Sequence, residues 1–379
     1  MNTLNIGLNL LHAHEDIGGV WNYIKNVVQM IAAYDSENKY IAFVSRQSDC
    51  LVQDTANMRK VHTGINGRNR QQRVIYEQTV LGKKGKEYRL DCMHWFANTR
   101  NLFSKIPSIV TLHDLLVYKD PAAFRFDHRL YLKTFIPRSL RRSAAIIAVS
   151  ERTGREITLY FKDINRDRIF VVSSPIGYEF CELSQDETEC FKKKYRLPEH
   201  FWLYVANLYP HKNHGNLFRA YSDLVRKSPD VWPLVLRGEK GGAADTIEKM
   251  LADSGIRDRI VWLPRLKNDE MPALYSSATA LIFPSLYEGG GIPVMEAMAC
   301  GCPVVASDIE ATREFAGDAA LTFDPEEVRS IAAAMERFAA DGALRAACRE
   351  KASRKIAELR PEKAFSRLLD VYKFACNGK

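Results

Sequence analysis

The sequence predicts an α/β protein of two domains, each a doubly wound parallel sheet with helices on both faces. Three observations carry this expectation. Apolar runs of strand length recur through all 379 residues and alternate with longer helical segments, the pattern of parallel sheets. The alternation halts over residues 174–200 and restarts at Trp202. The chain is also too long for one ordinary core, and its 46% apolar content is that of a globular protein. The expected domains span 1–180 and 190–360, with a closing helix over about 361–379 able to pack back on the first.

Taken in order, Leu4–Leu11 reads as a strand, and His12–Gly19 as a loop ending in Gly18-Gly19. Val20, Ile24, Val27, Val28 and Ile31 recur at helical spacing and form one apolar face. A strand follows at Tyr40–Ser45. No G-x-G-x-x-G joins these elements, which argues against a dinucleotide dehydrogenase. Residues 60–90 are basic, glycine-dotted and weakly periodic, so a loop or mobile segment is expected. Strands follow near Leu90–Phe96 and Ile106–Leu112, the second running into His113-Asp114. A basic helix is predicted over 124–142 and a buried strand over Ala144–Val149. Ser150 is a good N-cap for a helix through Tyr160, and Ile169–Val172 is the last strand of this half. The second half predicts strands at Trp202–Ala206, Pro233–Arg237, Ile260–Leu263, Ala280–Phe283, Val304–Ser307 and Ala320–Phe323. Helices separate them, and three more, over about 326–340, 342–359 and 361–376, end the chain.

Composition narrows the classes. No stretch approaches 18 uninterrupted apolar residues, so no membrane span is expected. The start, Met1-Asn-Thr-Leu-Asn-Ile-Gly, lacks the features of a signal peptide. Eight scattered cysteines show no metal-binding or disulfide spacing, as in a cytoplasmic protein with reduced thiols. Residues 1–180 hold 26 Lys+Arg against 17 Asp+Glu, a net of +9, whereas 181–379 hold 28 against 29, a net of −1. The basic residues cluster at Arg68, Arg70, Arg73, Lys83, Lys84, Lys86 and Arg89, then at Arg125, Arg129, Lys133, Arg138, Arg141 and Arg142. Such runs suit a solvated face, an anionic membrane or a phosphate-bearing partner. Nucleic acid is not expected, because no aromatic-studded recognition motif accompanies the charge.

One stretch organises the chain: Pro284-Ser-Leu-Tyr-Glu288-Gly-Gly-Gly291-Ile292-Pro293-Val-Met-Glu296-Ala-Met-Ala-Cys-Gly301-Cys-Pro303-Val-Val-Ala-Ser307. It reads as a strand end, a glycine turn, a short helix and a second strand. Pro293 suits the first helical position. Gly289, Gly290 and Gly291 let backbone approach a ligand and aim amides at it. The helix start adds about half a positive charge. Glu288 and Glu296 add two carboxylates beside this anion cradle, which points to a ligand with hydroxyls as well as phosphate. The blander alternative is a tight turn with two solvated glutamates.

The spacing Glu288 to Glu296 resembles the E-x7-E motif of retaining family 4 glycosyltransferases, within the run E-G-x-G-x-P-x-x-E-A-M-A-C-G-x-P-V. Tyr204-Val-Ala-Asn207-Leu-Tyr-Pro-His211-Lys212-Asn213 resembles their phosphate-binding loop. Gly18-Gly19 and His113 sit where the family has its glycine pair and acceptor-side histidine. The resemblance covers nearly the whole chain. It implies a GT-B fold, two Rossmann-like domains facing across a cleft, the first for the acceptor and the second for the nucleotide sugar.

By that resemblance Lys212 meets the phosphates, with the 289–292 amides opposite, including that of Ile292. Glu296 grips the ribose, Glu288 contacts the transferred sugar, and His113 reaches the sugar or the acceptor hydroxyl. The loop around Pro264-Arg265-Leu266 supplies the base pocket. Two departures stand out. Ala206-Asn207 replaces the usual Gly-Arg or Gly-Lys, so one diphosphate cation is missing, to be supplied by His211 or by an arginine brought in on domain closure. Gly290 stands where Phe is common, which opens the donor pocket. No D-x-D occurs in the sequence, so no metal cofactor is expected and protein cations must meet the diphosphate.

The expected activity is transfer of a hexose with retention, mannose from GDP-mannose being the first reading and a UDP-sugar the alternative. The expected acceptor is a lipid-linked glycan or oligosaccharide of bacterial surface polysaccharide, met in the cytoplasm at the inner membrane face, with the basic first half toward anionic lipid. A nucleotide-sugar epimerase, a phosphorylase and a non-catalytic nucleotide-binding subunit are the rivals.

Overall fold

The computed structural model describes residues 3–228, 230–239, 244–359 and 361–377. The chain divides into two compact units, Met1–Pro175 with Arg360–Lys379, and Ile176–Leu359.

In the first unit seven parallel strands take the order β3-β2-β1-β4-β5-β6-β7. They are β1 (Asn5–Asn9), β2 (Lys39–Val44), β3 (Met58–His62), β4 (Cys92–Trp95), β5 (Ser108–Leu112), β6 (Ala145–Ala148) and β7 (Ile169–Val171). Central strands such as β5 and β6 are buried at every position. That is why β6, Ala-Ile-Ile-Ala, reads as an unbroken apolar run, since a parallel sheet is covered on both faces. Ile6 of β1 pairs with Tyr40 on one side and Cys92 on the other. The helix Gly19–Tyr34 buries Ile24, Val27, Val28 and Ile31, the face its spacing predicted. Ser150 caps the helix Glu151–Tyr160 by accepting from the Thr153 amide.

Residues 60–90 are not a loop. After β3 come two helices, Arg70–Thr79 and Leu81–Glu87. Asn69 caps the first, its side chain accepting from the Gln72 amide. The buried positions of that helix are Arg73 and Glu77, a charged pair 3.6 Å apart. A buried face made of charge leaves no hydrophobic period to read, which is why the expectation failed.

The final helix, Pro361–Asn377, belongs to this first unit and packs on β4, β5 and β6. It buries Leu368, Val371 and Tyr372 completely. The Tyr372 hydroxyl lies 3.0 Å from Nδ1 of the buried His94, whose Nε2 meets the Thr111 hydroxyl at 2.8 Å.

The second unit is a six-stranded parallel sheet in the order β10-β9-β8-β11-β12-β13. Its strands are β8 (Trp202–Val205), β9 (Leu234–Arg237), β10 (Ile260–Trp262), β11 (Ala280–Phe283), β12 (Val304–Ser307) and β13 (Ala320–Phe323). Counted from its own first strand this is 3-2-1-4-5-6, the doubly wound order, in which ligands bind beyond the carboxyl ends where the order reverses. The reversal falls between β8 and β11. Among the described residues no helix is long and apolar enough to cross a membrane.

Candidate active site

The loops leaving β8 and β11 flank that reversal, and hydrogen bonds stitch them together. Pro210–Lys212 forms a single 3-10 turn ended by Asn213 in the left-handed region, φ 63°. The Asn213 side-chain Nδ2 donates to the carbonyls of Pro284 at 3.1 Å and Pro325 at 2.7 Å. The Leu286 amide donates to the His211 carbonyl at 2.8 Å. So held, Lys212 Nζ lies 2.6 Å from Glu288 Oε1, with both side chains largely buried. Shielded from water, the contact is a charge-assisted hydrogen bond. Removing either partner would strand the other's charge.

Beyond Glu288 the glycine turn reaches Gly291 at φ 57° and ψ 25°. A Cβ there would stand 3.0 Å from the Phe315 ring. Backbone conformation and space both favour glycine. The helix Ile292–Ala299 starts at once, with Pro293 its second residue rather than its first. The ring still costs nothing, because first-turn amides have no partner inside the helix. Glu296 is the fifth helical residue and is buried. The Tyr275 hydroxyl donates to its Oε2 at 2.9 Å. Burial, then the Glu296 charge, pushes the Tyr275 phenol far up, so it remains a donor.

Asn207 ties two loops together. Its Oδ1 accepts the Glu239 amide at 2.9 Å, and the Leu208 amide donates to the Glu239 carbonyl at 3.1 Å. The loops after β8 and β9 are therefore clamped together. At Gly238 a Cβ would lie 1.8 Å from the Ala206 carbonyl oxygen, so only glycine fits. The His211 ring lies nearly parallel to Tyr209, 5.8 Å between centroids. Arg237, the last residue of β9, places Nη1 3.2 Å from Glu239 Oε1, and Arg265 Nε lies 3.9 Å from the same oxygen. Sequence reasoning missed Arg237 and Glu239. The only signal was a charge closing an apolar strand.

The first unit carries Gly18, Gly19 and His113. Gly18, φ 59° and ψ −122°, precedes the helix that starts at Gly19, in the loop after β1. The reversal of strand order in this sheet lies between β1 and β4. His113 follows β5. Its Nε2 lies 2.6 Å from the Phe96 carbonyl, which can only accept, so the proton sits on Nε2 and Nδ1 is left as an acceptor. Burial pushes His113 down to about 4, so the ring is neutral at pH 7. His12, in the loop after β1, is also driven well down, by burial and then by Arg73. Among the described residues no group of three or more His, Cys, Asp or Glu is placed to hold a metal ion.

With this geometry in view, residues 185–355 match the family Glycosyl transferases group 1, and residues 17–179 match Glycosyltransferase Family 4. O-antigen chain mannosyltransferase B of Escherichia coli is 32% identical over 228 residues, 60% of this chain and 59% of that protein. The serotype-specific mannosyltransferase WbdA of Escherichia coli is 34% identical over 207 residues, 54% of this chain and 25% of its own length. The matched stretches thus span less than two thirds of these relatives. Among solved structures, sucrose-phosphate synthase from Thermosynechococcus elongatus superposes with a TM-score of 0.77 over 98% of each chain at 19% identity. That likeness shows the fold, the paired parallel sheets of GT-B proteins.

Proposed function

From a chain that belongs to the glycosyltransferases, with a family 4 domain followed by a group 1 domain, we propose that it moves a hexose from a nucleotide sugar to a glycan acceptor with retention at the anomeric carbon. The observation that carries this reading is the Lys212–Glu288 contact, set between a glycine turn and a helix start at the strand-order reversal. Breaking the bond between sugar and diphosphate puts negative charge on the departing phosphate and positive charge on the sugar ring. Lys212 and the Ile292 helix start face the first charge, and the Glu288 carboxylate steadies the second. Glu296, aimed by Tyr275, holds the ribose hydroxyls. His113, neutral and with Nδ1 as its open acceptor, meets a sugar or acceptor hydroxyl. We take protein cations rather than a metal to meet the diphosphate, so EDTA should leave the rate unchanged.

The favoured donor is GDP-mannose and the favoured acceptor a lipid-linked glycan of the O-antigen kind. Likeness to an O-antigen chain mannosyltransferase and to a serotype-specific mannosyltransferase supports mannose as the sugar and an O-antigen chain as the acceptor. Peripheral contact with anionic lipid is supported by Phe126 and Leu130, both more than half exposed, on the helix that also carries Arg129, Lys133 and Arg138, and by the exposed Ile75 on the helix Arg70–Thr79. Apolar side chains among cations suit a membrane interface. The test is transfer from GDP-mannose and UDP-sugars to lipid-linked acceptor, with the product anomer read by NMR. Lys212→Ala and Glu288→Ala should each lower kcat by about 10²–10³. Unchanged transfer in both would refute the assignment. Phe126→Ser with Leu130→Ser should weaken sedimentation with anionic vesicles and spare transfer to a soluble acceptor.

A further inference from the structure

We propose that Glu239 reads the base of the donor nucleotide and selects guanine, an inference that rests on the nucleotide-sugar reading above. Two observations place Glu239 beside the nucleotide. Its backbone is clamped to the phosphate loop through Asn207 and Leu208. Its partner Arg237 pairs with Val205 at the end of β8, the strand that leads into the Lys212 loop. Phosphates at Lys212 and a ribose at Glu296 leave the base to extend over the carboxyl ends of β9 and β10, the first half of the doubly wound order. Those ends are where Arg237, Glu239 and Arg265 stand.

The cluster is built to present a carboxylate, and stability does not explain it. The Glu239 and Arg265 side chains are 40% and 43% exposed and 3.9 Å apart, a contact that adds little to folding. Arg237 is 13% exposed, and its buried Nε has no hydrogen-bond partner among the described residues. Two guanidiniums thus hold one carboxylate in a fixed place, with donors beside it. Guanine matches that array. Its N1–H and N2–H donate side by side to a carboxylate, while its O6 accepts from a guanidinium. Uracil offers one N–H between two carbonyl oxygens, so one of them would face the carboxylate.

The test titrates the full-length protein and the Glu239→Gln variant with GDP, inosine diphosphate and UDP by calorimetry. Inosine diphosphate differs from GDP only in lacking the 2-amino group. In the wild type GDP should bind at least about tenfold tighter than inosine diphosphate, because the missing donor leaves a carboxylate oxygen unmet. In Glu239→Gln the GDP advantage should shrink to about threefold or less, with an unchanged melting temperature. A wild-type ratio near one, a ratio unaltered in the variant, or UDP binding tighter than GDP would each overturn the proposal while leaving glycosyl transfer standing. Failure of all three nucleotides to bind the wild type would instead overturn the parent reading. If the variant does not fold, the wild-type ratios alone decide.

Discussion

His94, His113 and His214 are buried where protonation is unfavourable. Burial is the first cause for each ring, joined at His94 by His113 and at His214 by Lys212 and His211. Their values fall to about 3, 4 and 3. The unfolded chain keeps them near 6.5, so below that pH it binds protons the folded chain refuses. Stability is therefore full above pH 6.5 and drains away as pH falls toward 4 and then 3. At pH 5.5 each ring costs about 1.4 kcal/mol, roughly 4 kcal/mol for the three. Urea unfolding at pH 7.5 and 5.5 should show that loss, and a flat profile would contradict it. Gly291 makes a second residue-scale prediction. Alanine there would adopt φ 57° with its Cβ 3.0 Å from Phe315. We expect Gly291→Ala to destabilise by about 1–2 kcal/mol and to impair donor binding, both measurable by thermal melting with and without nucleotide.

At the scale of elements, the helix Arg70–Thr79 depends on charge. Arg73 is 6% exposed, and Glu77 accepts from Asn9 at 3.0 Å while facing the guanidinium. Glu77→Ala would leave a buried, unpaired arginine and should cost about 3–5 kcal/mol in thermal or denaturant unfolding. Pro137 interrupts the helix Phe126–Arg142, and the Tyr118 hydroxyl reaches the Lys133 carbonyl, the one Pro137 cannot serve, at 3.5 Å. These elements explain what the sequence let one read. Strands such as Ala145–Ala148 were legible because both faces are buried, and Ser150 because a cap is local chemistry. Arg70–Thr79 was not, since Arg73 and Glu77 mimic solvated charge. The turn at Glu288–Gly291 was legible through residue type and spacing, and the loop at Lys212 through its resemblance to a family motif. Arg265 was named with its loop, but its meeting with Arg237 and Glu239 was hidden, because the ends of β9 and β10 come together only after the sheet has formed.

At the scale of the molecule, the second unit is one uninterrupted stretch, Ile176–Leu359, whereas the first is built from both ends of the chain. A protein ending at residue 360 loses the burial of Leu368, Val371 and Tyr372. At about 1.5–3 kcal/mol for each side chain, the loss rivals a whole domain's typical stability of 5–15 kcal/mol. We expect that truncation to abolish the first unit's unfolding transition, followed by tryptophan fluorescence at Trp21 and Trp95, while residues 176–359 still melt cooperatively. The same connectivity sets an order of completion during synthesis. Domains usually finish folding in the order they leave the ribosome. Here the domain begun first must wait for the last seventeen-residue helix, Pro361–Asn377, to emerge. Until then His94 lacks its Tyr372 partner and β4 to β6 lack their cover. Until Pro361–Asn377 has emerged, the nascent first domain is thus the form most in need of a chaperone.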